Sequence, residues 1–79
     1  MIQGSNVQRV ALESSVLASA LYSPREQVLD LEFRSGAVYR YFGFPLRQYG
    51  ELLAAESKGS YFNRYVRDHF PCQRVRDAG

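Results

Sequence analysis

Residues 28–42 read VLDLEFRSGAVYRYF. Leu29, Leu31 and Phe33 alternate with Val28, Asp30 and Glu32, the period-2 spacing of a half-buried strand. Ala37 to Phe42 is rich in β-formers, and the Ser35-Gly36 between the two runs reads as the turn of a hairpin. Turn length fixes which side chains share a face, because a slip of one residue moves the whole set to the other side. A two-residue loop at Ser35-Gly36 sets Leu31 against Arg40 and drops a charge into the leucine row. A three-residue loop, Arg34-Ser35-Gly36 with Gly36 in the left-handed position, instead sets Leu31 against Tyr39, Leu29 against Tyr41 and Asp30 against Arg40. This second register makes one face apolar and gives the other an ion pair, so it is the one expected. Tyr39 and Tyr41 then point toward the core, and Arg40 points away from it.

Upstream, Val16 to Tyr22 is an apolar run closed by Ser23-Pro24-Arg25-Glu26 and reads as a preceding strand. Downstream, Gly43 and Pro45 end the third strand. A helix from Leu46 to about Ala55 follows, with Leu46, Tyr49, Leu52 and Leu53 at the spacing of one apolar face. Ser57-Lys58-Gly59-Ser60 breaks it and caps a second helix beginning near residue 59. There Phe62, Tyr65, Val66 and His69 form the core side, Asn63, Arg64 and Arg67 the wet side, and Asp68 is spaced to pair with Arg64. Phe70-Pro71 stops it. The expected fold is α+β: a three-stranded antiparallel meander followed by two helices packed on one face, β-β-β-α-α. One domain over 1–79 is expected, with its core at about 14–70 and flexible ends at 1–10 and 72–79.

Composition narrows the classes of function. Six tyrosines, five phenylalanines and a 46% apolar fraction belong to a chain that folds around a core. Cys72 is the lone cysteine, so no internal disulfide or zinc pair is available and a reducing compartment is expected. No run is long and apolar enough for a membrane helix, and no leader is evident in MIQGSNVQRV, which points to a cytoplasmic protein without membrane contact. The net charge is +2, and the ten basic residues are nine arginines and Lys58, a bias toward planar, hydrogen-bonding cations.

Residues 14–70 resemble the KTSC domain, a short module named for the carboxy terminus of some lysyl-tRNA synthetases and also found as small free-standing bacterial and phage proteins. Tyr39-Arg40-Tyr41 matches that family's YxY motif, and Leu31-Glu32-Phe33 with Gly36 resembles the strand and turn before it. Ala55-Glu56-Ser57-Lys58-Gly59 and Phe62-Asn63 resemble its A-x-S-x-G and F-N elements. The synthetase context of that family implies association with RNA.

On that reading Arg40, Lys58, Asn63, Arg64 and Arg67 are candidate phosphate contacts and Phe42 a stacking ring. The motif residues Tyr39, Tyr41, Gly36, Ser57, Gly59 and Phe62 are assigned to structure. Arg74 and Arg76 add diffuse attraction, diluted by Asp77. The alternative partner is a protein, or a second copy of the chain, held by the open sheet face or a sheet edge. No enzyme is expected: His69 and Cys72 are three residues apart across a proline with nothing assembled around them, and Ser14, Ser15, Ser57 and Ser60 lack a partnered base. No cofactor, metal or small-molecule substrate is expected either.

Overall fold

The computed structural model describes residues 8–78. Strands β1 (Arg9–Ala11), β2 (Leu17–Ser23), β3 (Val28–Phe33), β4 (Val38–Phe42) and β5 (Cys72–Arg76) form one antiparallel sheet in chain order. Between β4 and β5 lie α1 (Leu46–Ala54) and α2 (Lys58–Tyr61), and α2 runs directly into a π-helical turn, Phe62–Val66. The architecture is thus α+β, as expected.

The β3–β4 hairpin takes the register required by the leucine alternation: Leu29 opposes Tyr41, Asp30 opposes Arg40 and Leu31 opposes Tyr39. Its loop is the three-residue one, closed by Phe33 N–H donating to the Ala37 carbonyl at 2.8 Å, with Gly36 at φ 99°. An L side chain at that φ meets the following carbonyl, so Gly36→Ala is expected to cost about 1 to 2 kcal/mol in a urea melt.

The sheet has five strands rather than three. Both additions lie at the ends read as flexible; residues 1–7 of that reading fall outside the described residues. All five residues of β5 are exposed, so no apolar alternation marks them. The strand is defined by backbone pairing along β4, from Tyr41 opposite Cys72 to Val38 opposite Arg76. A register shift leaves Val75 as the extra residue of a bulge. Strict alternation would put Arg74 and Arg76 on the same face; the bulge sends them to opposite faces.

The second helix is shorter than the sequence spacing implied. Arg67 N–H reaches back to the Phe62 carbonyl at 2.8 Å, a five-residue step, and the chain then leaves the helix at Arg67 (ψ 127°) and Asp68 (φ 64°). Aspartate tolerates this left-handed conformation better than most residues. The break puts His69 on no helical face, leaves Tyr65 48% exposed, and removes the expected Arg64–Asp68 ion pair from among the described residues. In α1, Leu46 is also exposed, and the burial that the spacing assigned to it falls to Phe44 two residues upstream.

The core lies between one face of the sheet and the helical segment. Ala20 and Tyr22 of β2, Leu29 and Leu31 of β3 and Tyr41 of β4 pack with Phe44, Leu52, Phe62 and Val66. Each fully buried leucine or phenylalanine contributes about 1.5 to 3 kcal/mol relative to exposure.

The other face of the sheet is uncovered and is crossed by charges. The Ser19 hydroxyl donates to Glu32 Oε1 at 2.8 Å, Arg9 lies 3.8 Å from the same oxygen, and Arg76 donates to Glu32 Oε2 at 3.0 Å. One carboxylate in the central strand therefore ties both edge strands, β1 and β5, to the sheet. The Ser19 hydrogen bond, with help from Arg76 and Arg9, holds the Glu32 carboxyl below its ordinary value against a desolvation cost. A carboxyl held low in the folded state stabilises above its unfolded pKa, and that stability fades as pH falls through the lower folded value. Protection of the β1 and β5 amides from hydrogen exchange is accordingly expected to drop in acid, and Glu32→Gln to remove most of that pH dependence.

Candidate nucleic-acid interface

The residues picked from the sequence do not form one patch. Arg40 and Phe42 lie on the uncovered sheet face, where the Arg40 guanidinium grips Asp30 with two hydrogen bonds of 2.8 and 3.0 Å. This paired geometry raises the Arg40 pKa, chiefly through the Asp30 hydrogen bonds, and occupies the fork that a phosphate would need. Lys58, at the start of α2, donates its ammonium to the Ala55 carbonyl at 3.0 Å. It lines, with Asn63, a cleft of about 390 Å³ beside Ser14 and Glu13. Arg64 and Arg67 are exposed on the π turn and just after it.

The motif residues are placed by packing and turns. Ser57 caps α2, its hydroxyl accepting from Ser60 N–H at 3.2 Å. Gly59 is buried where α2 approaches the 14–16 segment, so that a Cβ there would sit 3.2 Å from a Val16 methyl. Phe62 packs edge-on against Phe33 at 5.2 Å and Tyr41 at 6.0 Å between ring centroids. Tyr41 is 5% exposed, and burial pushes its phenol well above the ordinary value, with Cys72 and Tyr39 adding and Arg67 opposing. Tyr39 differs from Tyr41: it is only half-buried, against Phe33.

Four of the nine arginines are held by partners within the fold. Arg34 donates to the Ser14 and Leu12 carbonyls, Arg9 and Arg76 serve Glu32, and Arg40 serves Asp30. Arg25 and Arg47 are exposed, and two further arginines stand by tyrosine rings, one of them, Arg74, also paired with Asp77 at 2.8 Å. Arg74 of β5 lies 5.9 Å from the Tyr39 centroid and Arg64 lies 5.9 Å from that of Tyr65, while Arg67 is exposed just after the π turn. Tyr65 also packs against Tyr61 at 4.8 Å, and Tyr61 donates to Glu51 Oε1 at 2.7 Å. Desolvation first, and that hydrogen bond second, push Tyr61 up to about 12. Both pairs lie on the helix side of the sheet, Arg64 with Tyr65 on the π turn and Arg74 with Tyr39 at the β4–β5 edge. The sequence does not bring these residues together, because β5 carries no strand pattern to set Arg74 beside Tyr39 and the π turn that exposes Tyr65 has no sequence mark. The one legible signal of β5 is Val75, a β-former after the Pro71 stop.

Among the described residues no group of three or more His, Cys, Asp or Glu side chains converges. No helix among them is long and apolar enough to cross a membrane.

Comparisons with known proteins agree on the fold and on its kinship. The chain superposes on the crystal structure of a KTSC domain protein from Yersinia pestis with a TM-score of 0.84 at 32% identity, covering 87% of this chain and 97% of that one. It is 43% identical over 70 residues to an uncharacterised protein of Stutzerimonas stutzeri, spanning 87% of this chain and 99% of the relative. It is 40% identical over 63 residues, 80% of its length, to a lysine–tRNA ligase of Nostoc sp., of which it spans only 11%. With the KTSC domain profile matching residues 13–70 and the solved relative sharing its fold, the chain belongs to the KTSC domain family.

Proposed function

We propose that the chain is a non-catalytic RNA-binding module, holding single-stranded RNA or the unpaired parts of tRNA with Arg64, Arg67, Arg74 and the rings of Tyr39 and Tyr65. The observation that carries this reading is the pairing of arginines with exposed or half-exposed tyrosines on one side of the sheet. Arginines grip phosphates through planar forks, and aromatic faces stack unpaired bases at about 1 to 3 kcal/mol per base. The similarity to part of a lysine–tRNA ligase supports the same class of partner. The net charge of +2 is modest for a nucleic-acid binder and fits weak binding. The reaction chemistry of the ligase is not extended to this chain.

Self-association through the uncovered sheet face is the competing reading. That face carries Asp30, Arg40, Glu32 and Arg76, and a dry dimer would have to desolvate these pairs. Fluorescence anisotropy with a labelled single-stranded oligoribonucleotide and with tRNA, at about 50 mM salt, tests the proposal. Saturable binding by a monomer is the expected result. Absence of binding to either RNA, together with a dimeric mass in solution, would replace it with the competing reading.

A further inference from the structure

Between the β3–β4 turn and the end of β5 lies an open cleft of about 510 Å³, lined by Phe33, Ser35, Ala37, Tyr39, Arg74 and Asp77. Phe33 meets Tyr39 edge-on, with centroids 5.8 Å apart and planes at 81°, and so braces that ring from one side. Arg74 stands 5.9 Å from the Tyr39 centroid and donates from Nη1 to Asp77 Oδ1 at 2.8 Å. The Asp77 side chain remains 77% exposed, so Oδ2 and the second lone pair of Oδ1 are open to a ligand in the cleft. Size and an aromatic wall suit a flat heterocycle.

The carboxylate narrows the choice of base. An ionised carboxylate only accepts hydrogen bonds, so it is satisfied by an edge that presents adjacent N–H donors. Guanine presents N1–H beside N2–H. Adenine and cytosine set their amino group next to a ring-nitrogen acceptor, and uracil sets its single N3–H between two carbonyls. Resting on the RNA reading above, we propose that this cleft receives one unpaired guanine, stacked against Tyr39 and hydrogen-bonded through N1–H and N2–H to Asp77, with Arg74 holding the carboxylate in place.

Four pentaribonucleotides, UUGUU, UUAUU, UUCUU and UUUUU, titrated into the labelled protein at low salt, test the site. UUGUU is expected to bind about tenfold more tightly than the others, with amide shifts at Ser35, Tyr39, Arg74 and Asp77. Asp77→Asn, at an exposed position near the chain end, is expected to erase the guanine preference while leaving the thermal melt unchanged and UUUUU binding no weaker, since the change removes a negative charge beside Arg74. Equal affinity for all four pentamers, or a guanine preference that survives Asp77→Asn, would overturn the guanine site and leave the RNA reading standing. No binding of any pentamer would overturn both.

Discussion

Phe44→Ala is expected to lower the unfolding free energy by about 3 to 5 kcal/mol, the largest loss for a single substitution in this chain. A chain of this length holds on the order of 4 to 12 kcal/mol in all, so a measurable fraction of the variant should be unfolded at room temperature. Phe44 is fully buried although it belongs to no helix or strand. Gly43, at φ 69°, turns the chain away from β4, and Pro45 then leads into α1, which leaves Phe44 as the plug between them. Its ring lies 4.7 Å from Phe70 and 6.3 Å from Tyr22, its N–H donates to the Gln27 carbonyl at 2.8 Å, and its carbonyl accepts from the Tyr22 hydroxyl. Truncation leaves a void that these neighbours, themselves tied to β2 and to the segment before β5, cannot collapse into. Leu46→Ala, nearby in sequence, is expected to change the urea midpoint very little, because that side chain is 59% exposed. The contrast between the two variants checks that burial, and not helical spacing, decides the cost.

Replacing Arg64, Arg67 and Arg74 together by glutamate is expected to abolish RNA binding, and it is the largest functional effect the proposed interface predicts. Contacts to about three phosphates of a single strand give a slope of about −2 in log affinity against log salt. Raising salt from about 50 to about 200 mM should therefore weaken the parent protein about 20-fold. Single arginine-to-glutamine changes at these positions should each flatten the slope by about 0.7. Arg40→Gln makes the opposite case. Its guanidinium is held by Asp30, so the change should disturb sheet stability more than RNA affinity. Anisotropy titrations at a series of salt concentrations measure all of these slopes in one assay.

The part of the fold that could be read in advance was the part in which side-chain chemistry and backbone geometry agree. Alternating Leu29, Leu31 and Phe33, a glycine placed for a bulged turn, and an aspartate that finds an arginine only in one register together determined the β3–β4 hairpin. β1 and β5 stayed hidden for the converse reason. Edge strands of three and five residues with mainly exposed side chains bury little beyond Val10, and they are fixed by backbone hydrogen bonds and by Glu32, whose arginine partners are remote in sequence. Phe70-Pro71 reads as the stop of the second helix, whereas the π turn and Asp68 end it earlier. That difference matters for function. It brings Tyr65 to the surface beside Arg64, and with β5 in place Arg74 stands by Tyr39. The conspicuous YRY run thus divides three ways. Tyr41 is core, Arg40 is tied within the sheet, and Tyr39 alone offers a ring beside a cation.

Mapping amide shifts of the labelled protein on addition of a single-stranded oligoribonucleotide at low salt tests the proposed interface most directly. Perturbations gathered at Tyr39, Arg64, Tyr65, Arg67 and Arg74 are the expected result. Shifts confined to Arg40, Phe42 and the rest of the uncovered face, or no shifts at all, would contradict it.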